Sequence, residues 1–492
     1  MRDINLRFIK EIFEETEKEF QAMDFGLLEK NGIYKGSNGW SMNYPGTLRF
    51  ERYDPGQSLK LPDCLSNLYV SLPFCSRRCS FCTIISDIDV QARKKYFDAL
   101  FKEMGHYSAG TRQKVGYVDL GGGTATMLLP EELDALMHKI KQCFDIGDEP
   151  HVCFEGHPEL ARQEHRHKIL HVAKQHKIPN IAFGVQTFDE ELLRRFNRGH
   201  DVKDVWDSVR LAKKFLPSFS IDLICGLENQ SIESVKSTII ETIRLNPPSI
   251  DLYTYVNSHK SIDRTAENRK TVLMTLLFIN VLTKHGWYPH RISADVIVFK
   301  KNEHMEQTLA AVEGLGKLGE TNLLGVGNGA FSFMRDWHAT TPYDMASYIS
   351  NVDQSGTGIS LYSAKNQTDL LMNYIKDSLR RYNVLDLRSL SEEFGIDAKE
   401  RYGKVISKLE SLGLLNLEDG GQKFKLTKLG FIYNDKVISY FFPIEHYKEY
   451  YGLEKSVRDN PELSQFYEEI CNSPFNFELT PEAYSFLEKD AG

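Results

Sequence analysis

From residue 67 onward, short apolar runs alternate with stretches in which apolar positions recur every three or four residues. Leu68 to Leu72, Val115 to Leu120, His151 to Phe154, Ile181 to Val185, Ser220 to Ile224 and Ser249 to Tyr255 read as strands. The intervening segments Pro130 to Cys143, Leu160 to Gln175, Glu190 to Phe196, Val202 to Phe215, Ile232 to Leu245 and Ala266 to His285 read as helices. Strand and helix repeat at a period of about 35 residues, the signature of parallel βαβ units. Polar residues recur just beyond the C-terminal end of each strand. That favours a partial (β/α)6 barrel of TIM-like layout over a doubly wound sheet.

The flanks break this period. Residues 1–21 predict an amphipathic helix with Ile4, Phe8, Ile9, Ile12 and Phe13 on one face. Gly, Asn, Pro and Ser punctuate 30–62, an irregular arm. Past 287, short strands mix with a glycine-rich run from Gly314 to Gly329. Helical patterns follow over Gln367 to Tyr382, Asp386 to Phe394 and Asp397 to Leu412. The strands Leu414 to Leu417 and Lys423 to Leu426 then form a hairpin about Gly420-Gly421. Helix, helix, hairpin is a winged-helix pattern. The expected organisation is therefore a helix and arm over 1–62 and an α/β core over 63–286. A barrel-closing segment over 287–365, a winged-helix-like α+β domain over 366–442 and an extension over 443–492 complete it.

Composition narrows the class. The 492 residues are 41% apolar and 26% charged, an ordinary globular balance with room for two or three domains. A net charge of −8 argues against a nucleic-acid scaffold. Lys423, Lys425 and Lys428 are the one basic stripe in the winged segment, and a packing or lid role suits it better than DNA binding. No apolar run is long enough to span a bilayer; the longest, Thr271 to Leu282, is interrupted by Thr275 and Asn280. The first twenty residues carry no targeting pattern. Eight cysteines, three of them clustered, fit metal binding in a reducing compartment, so a cytoplasmic location is expected.

Those three are Cys75, Cys79 and Cys82, directly after the first strand and Pro73. Three thiolates on one short loop can wrap a soft metal centre. A closed zinc or iron–sulfur site takes four ligands, so three cysteines on a cubane leave one iron open to substrate. The alternatives are a zinc site completed by Cys64 or His106, or thiols that bind nothing. After the second strand, Gly121-Gly122-Gly123-Thr124 offers a backbone nest. Glu155 follows the third strand and Gln186 the fourth; Arg198 lies further on and Asp222 within the fifth. Glutamate pairs with an α-amino group, an arginine fork with an α-carboxylate, and aspartate with ribose hydroxyls. Singly, Glu155 could cap a helix, Arg198 could form a surface ion pair and Asp222 could shape a turn. Together they would hold an amino-acid-bearing nucleoside beside an open iron.

In this order the residues resemble the radical S-adenosylmethionine (SAM) superfamily and, within it, the HemN-type group. That group includes oxygen-independent coproporphyrinogen dehydrogenase, the haem chaperone HemW, anaerobic haem-degrading enzymes and class C radical methyltransferases. Tyr69-Val-Ser-Leu-Pro-Phe-Cys75 with its CxxxCxxC spacing carries the resemblance, together with Gly121 to Thr124, Glu155, Pro158-Glu159, Phe183 to Gln186 and Arg198. Ile221 to Leu227 and Gly325 to Ser332 carry it further, and it covers roughly 45–442. It implies a radical SAM barrel with a [4Fe–4S] cluster on Cys75, Cys79 and Cys82, and SAM chelating the open iron. It also implies Glu155 and the turn Gly121, Gly122 and Gly123 at the methionyl amine, Thr124 among the SAM-binding residues, Arg198 at the carboxylate and Phe81 near the adenine. Tyr69, Gln186 and Asp222 would line the catalytic site, where a second SAM can sit. A small-molecule substrate, a low-potential flavodoxin- or ferredoxin-type donor and a monomeric chain complete the expectation.

The chain departs from the porphyrinogen enzymes where they handle a tetra-acidic macrocycle. Ser71 stands at their histidine position, and Thr83-Ile84 replace the continuation bearing a fourth cysteine. Glu313-Gly-Leu-Gly-Lys replaces their Gln-Gly-Tyr-Thr-Thr, and only Asn43-Tyr-Pro45 remains of a tyrosine-rich motif. These departures point to C-methylation or cyclopropanation of an sp2 carbon in a quinone, aromatic or polyene, using a second SAM. Oxidative decarboxylation of coproporphyrinogen III is the alternative reading. A HemW-like chaperone, with His157, His259 or His290 on the haem, is a third.

Overall fold

The computed structural model describes residues 4–30, 50–57, 59–82, 90–162, 167–255, 264–293, 296–301 and 322–443. The chain opens with helices α1 (Leu6–Gln21) and α2 (Phe25–Lys30) and the short strand β1 (Glu51–Arg52). The repeating part follows as β2 (Cys64–Leu72), α3 (Val90–Tyr107), β3 (Lys114–Gly122), α4 (Pro130–Cys143), β4 (Val152–Gly156), α5 (His167–Gln175) and β5 (Asn180–Gln186). It continues through α6 (Glu190–Arg195), α7 (Val202–Ala212), β6 (Ser218–Cys225), α8 (Ile232–Leu245), β7 (Ser249–Thr254) and α9 (Arg264–Lys284). All six predicted strands are present, and β2 to β7 pair in parallel and in chain order.

The later strands do not close this sheet into a barrel. β8 (Trp287–Ser293) and β9 (Val296–Lys301) form a hairpin that adds antiparallel to β7 at one edge. β10 (Leu323–Val326) adds parallel to β2 at the other, followed by β11 (Phe331–Phe333), β12 (Trp337–Thr340), β13 (Leu361–Ala364) and β1. The expected barrel-closing segment therefore extends both edges of one open 13-stranded mixed sheet.

α1 begins at Asn5, whose side chain accepts from the Phe8 amide at 3.2 Å. Ile9, Ile12 and Phe13 are buried as predicted, but Phe8 is 40% exposed and Thr16 takes a place on the inner face. The reason is α9. Asn280 of α9 donates to Thr16 Oγ1 at 3.0 Å and to Glu19 at 2.8 Å, so α1 lies against α9. The apolar run in α9 is thus a core helix covered on both sides: Val272, Met274, Leu277, Phe278 and Val281 are all fully buried. Its Thr275 hydroxyl is satisfied by Thr271 O at 2.8 Å.

The C-terminal part keeps the winged pattern. Helices Gln367–Asp377, Leu387–Phe394 and Ala398–Ser411 accompany a three-stranded sheet in which β16 (Lys423–Leu426) lies between β14 (Val384–Asp386) and β15 (Leu415–Glu418). The basic stripe is partly neutralised. Lys423 pairs with Asp386 at 3.3 Å, and Lys428 turns inward to Glu19 at 2.7 Å and Asn280 at 2.9 Å. Lys428 thereby ties the winged part to α1 and α9, which favours the packing role over DNA binding.

Candidate active site

Parallel strands all point the same way, so their C-terminal ends form one rim. Tyr69 of β2 lies beside Asp119 of β3, and Ser71 beside Gly121. Glu155 is the last residue but one of β4, and Gly184 of β5 pairs with Asp222 of β6, which pairs with Asp251 of β7. At the Gly184–Gln186 bulge the register slips, and Gln186 adopts φ of +68°. A non-glycine residue in that region is strained and is kept where a site needs it.

The glycine run is shaped by contact as well as by torsion. Gly122 has φ of +94°, a conformation that costs other residues about 1–2 kcal/mol. A Cβ on Gly121 would sit 3.1 Å from the Tyr69 ring, and one on Gly123 would lie 2.6 Å from Leu72 O. Gly123 N–H donates to Leu72 O, and Thr124 N–H to Phe74 O, both at 2.8 Å. The turn therefore grips the backbone that leads into Cys75, whose sulfur lies 3.6 Å from Thr124 Oγ1.

Arg198 couples the far side of the rim to the same loop. One guanidinium nitrogen donates to Cys79 Sγ at 3.2 Å, and the other donates to Gly184 O. Its Nε is buried and, among the described residues, has no hydrogen-bond partner. Arg198 is therefore no surface ion pair. Phe81 packs against Phe196 with the rings tilted and their centroids 5.8 Å apart, and the Arg198 guanidinium lies over its face at 6.0 Å. Phe81 and Tyr255 pack on Leu192, Phe196, Ile224 and Leu227, an apolar cluster separate from the main core. An adenine ring fits such a surface.

Asp222 is a buried carboxylate and Glu155 a half-buried one, and among the described residues neither accepts a hydrogen bond. Burial, then the charges of Asp222, Asp119 and Asp251, push the Glu155 carboxyl well above its usual range. Asp222 is raised by burial, then by Asp251 and Asp119, against the pull of Arg198. Asp119 and Asp251 were not singled out from the sequence. Burial and Asp251 lift Asp119 to about 6, opposed by Arg291. Arg291 and Lys300, on the β8–β9 hairpin, likewise oppose the rise at Asp251. The missed signal was alternation: Tyr117, Asp119 and Gly121, Cys153 and Glu155, and Ser249 and Asp251 each recur at every second position, so one strand face is polar.

The donor chemistry fits both groups implied by the resemblance. Cys75, Cys79 and Cys82 are free thiols, partly exposed on one loop, and Arg198 donates to the sulfur of Cys79. The glycine cradle, the buried Arg198 Nε and the carboxylates of Glu155 and Asp222 suit an ammonium- and sulfonium-bearing nucleoside. Cys64 is not a fourth ligand. It starts β2 while Cys75 follows its far end, roughly 25–30 Å away at strand rise. His106 sits at the end of α3 against Tyr107 and Gly356.

His157 is buried against His200, with ring centroids 5.1 Å apart, and so is closed to a haem iron. Burial and the neighbouring Lys300 and Arg291 depress His290 to about 4. His259, Thr83-Ile84, Asn43-Tyr-Pro45, Glu313 to Lys317 and the extension from 444 lie outside the described residues. Away from the rim, Asp134, His138 and His176 bring their ligand atoms within 4.8 Å of one another. His176 Nε2 is already bonded to Asp134 at 2.8 Å, and Lys141 Nζ lies 3.3 Å from His176 Nδ1. A cation at that distance opposes a second one, so the trio reads as a tie between α4 and α5.

Comparison with known proteins agrees with this geometry. The model of the radical SAM superfamily matches residues 69–240, and that of the HemN C-terminal domain matches 379–433. The oxygen-independent coproporphyrinogen III oxidase of Helicobacter pylori is 26% identical over 443 residues, covering 83% of this chain and 94% of that protein. The Escherichia coli enzyme is 25% identical over 430 residues, covering 81% and 91%. The heme chaperone HemW of Bacillus subtilis is 29% identical over 202 residues, covering 40% and 52%. The solved structure of E. coli coproporphyrinogen III oxidase (HemN) superposes with a TM-score of 0.68 at 22% identity, covering 85% of this chain and 98% of that one. Among the described residues no helix is long and apolar enough to cross a membrane. The chain carries a radical SAM domain followed by a HemN C-terminal domain, and the cofactors that go with the radical SAM superfamily are a [4Fe–4S] cluster and SAM.

Proposed function

We propose that the protein carries out oxidative decarboxylation of a coproporphyrinogen III-type propionate side chain. One observation supports this over methyl transfer: the match to coproporphyrinogen III oxidases runs through both the radical SAM part and the C-terminal domain, over 94% of the H. pylori protein. Methyl transfer, the reading favoured by the sequence departures, remains the second reading because of Ser71. It is buried beside the Tyr69 hydroxyl, where the resemblance places a histidine.

On this proposal Cys75, Cys79 and Cys82 hold the cluster, which when bound supplies the electron that cleaves SAM to methionine and a 5′-deoxyadenosyl radical. Arg198 takes the methionyl carboxylate with its Nε, and its bond to Gly184 O fixes the fork. Glu155 takes the amine. Its raised pKa means that an arriving ammonium drives off its proton, since a nearby cation favours the carboxylate. Tyr69 holds its phenolic proton firmly, because burial and then Asp119 and Glu155 raise it, so it acts as a hydrogen-bond donor. Phe81 and the apolar cluster keep water from the nucleoside. The propionate then loses a hydrogen atom, carbon dioxide and one electron, leaving a vinyl group. The electron needs a one-electron acceptor, and the initial reduction a low-potential donor.

Anaerobic incubation of the reconstituted protein with reductant, SAM and coproporphyrinogen III tests this. Expected products are 5′-deoxyadenosine, carbon dioxide and a vinyl-bearing porphyrinogen. 5′-Deoxyadenosine with S-adenosylhomocysteine and a methylated product would move the assignment to methyl transfer. Loss of the cluster's visible absorbance in Cys79→Ala checks the ligand set.

A further inference from the structure

The cluster loop is fastened to the sheet at a second place, through residues that are neither cysteines nor SAM contacts. Arg77, between Cys75 and Cys79, donates to Glu159 Oε1 at 2.9 Å. Glu159 is buried, only 5% exposed, in the turn that follows β4. Its backbone N–H donates to His157 Nδ1 at 3.2 Å, so that nitrogen carries a lone pair. The 3.3 Å approach of the same nitrogen to Glu159 Oε2 is then a contact and not an ion pair. Arg162 lies 3.9 Å from Glu159 but is engaged by Asp204 and Asp201. Arg77 is the close counter-charge.

The pair lies over Gly199. A Cβ there would sit 2.4 Å from Arg77 Cζ and 2.5 Å from Glu159 Oε1, so any side chain at 199 would push the two charged ends out of their present contact. The neighbouring residues of both segments also join. Asn197, with φ of +55°, donates its side-chain amide to Arg78 O at 2.9 Å, and Ser80 N–H donates to Phe196 O at 3.2 Å. Residues 196–199 therefore hold the cluster loop on one side and present Arg198 to Cys79 on the other.

We infer that Arg77 and Glu159, meeting over Gly199, are positioning residues that set the register of the cluster loop against Arg198, and hence of the cluster against SAM. This rests on Cys79 as a cluster ligand and Arg198 as the carboxylate-binding residue. The mechanism is geometric: outer partners fix the orientation of the groups that touch a metal centre, and losing them costs about 10–100-fold in metal affinity or activity. Arg77 acts through its contact with Glu159, and so through the backbone of the loop that carries the cysteines.

The experiment uses the reconstituted full chain and the variants Arg77→Gln, Glu159→Gln, Gly199→Ala and the double variant Arg77→Gln/Glu159→Gln. Two readouts are followed: iron release to a chelator under anaerobic conditions, and the change that SAM induces in the electron paramagnetic resonance spectrum of the reduced cluster. Each single variant should release iron roughly tenfold faster and show an altered SAM-induced spectrum. The double variant should be no worse than either single one, because both act through one contact. Arg77→Lys, which keeps the charge, should recover part of both signals. Arg77 lies on an exposed loop, so its variants fold even if Glu159→Gln does not. Wild-type iron release and spectrum in Arg77→Gln and Gly199→Ala would overturn the inference, as would additive effects in the double variant. The ligand reading fails separately, if Cys79→Ala keeps its iron.

Discussion

Gly123→Ala is the sharpest test of how the SAM turn and the cluster loop depend on each other. Gly123 does not need a positive φ, so the substitution introduces no torsional strain and acts by volume alone. The new Cβ would lie 2.6 Å from Leu72 O, 2.7 Å from Phe74 N and 2.7 Å from Phe74 O, and side-chain carbons essentially never come closer than 3.0 Å. All three atoms are backbone, so no rotamer can absorb the clash, and the strand end must retreat by about 0.4 Å or more. Phe74 is bonded to Cys75. Ligand distances at a metal centre hold to about 0.2 Å, so the displacement exceeds what the Cys75 sulfur can tolerate without compensation. Overpacking of this kind costs about 1–3 kcal/mol, which at its upper end is about a hundredfold in an equilibrium constant. Iron retention against a chelator, measured anaerobically, should therefore weaken by about tenfold to a hundredfold. Gly147→Ala is the matching control: its φ is +72° with nothing within 4 Å of the new Cβ, so it strains a surface loop and leaves iron retention unchanged. Wild-type iron retention in Gly123→Ala would show that the turn yields without moving Cys75, and the argument for a rigid shared backbone would fall.

Three further outcomes follow from buried charges. Glu103 accepts from Gly327 N at 3.0 Å, Gly358 N at 2.7 Å and Tyr348 Oη at 2.6 Å, yet burial raises its carboxyl to about 6 from an ordinary 4.5. The native state thus binds the proton first, so this contribution is full below pH 4.5 and is lost as pH rises through 6, about 2 kcal/mol in all. Across that window, wild type should lose stability relative to Glu103→Gln in urea unfolding, and a constant gap would refute it. Asp251→Asn should lower the pKa of Asp222 and Glu155 by removing a like charge, so SAM binding should release fewer protons near neutrality; calorimetry in buffers of different ionisation enthalpy measures this, and an unchanged proton count refutes it. Asp134→Asn should depress the His176 pKa further, because Asp134 partly offsets the lowering by burial; an upward shift by nuclear magnetic resonance would contradict the tie between α4 and α5.

Most of the rim was legible because each of its residues follows a recognisable strand. Pro130 to Cys143 and Ile232 to Leu245 match their helices end to end, and Glu155, Arg198 and Asp222 reach the same rim as Cys79. What escaped the reading depends on pairing across long separations. Asp251 meets Asp222 by strand register, and the β8–β9 hairpin that brings Arg291 and Lys300 to these acids adds antiparallel to β7, breaking the period that carried the prediction. Phe8 misled for a related reason. A helical face is read from one chain segment, but which positions are covered is settled by the partner, here α9 through Asn280.

The charges on this face bear on which substrate the proposal favours. With every group ionised and the cluster with its thiolates set aside, Asp119, Glu155, Asp222 and Asp251 against Arg198, Arg291 and Lys300 leave one negative charge in excess. The free site relieves that charge by holding protons on its raised carboxyls, because burial makes it expensive. SAM brings an ammonium, a sulfonium and a carboxylate, a net single positive charge, so one molecule balances the set. A second SAM would leave the interior positive, a condition that an arriving propionate relieves and a neutral quinone or polyene does not. The same count limits the approach of a tetra-acid: one carboxylate can enter as the charge that balances, and the other three must stay where solvent or cations outside this face receive them. On the decarboxylation reading, then, the interior admits a single propionate at a time, and the reacting side chain is the one it takes in.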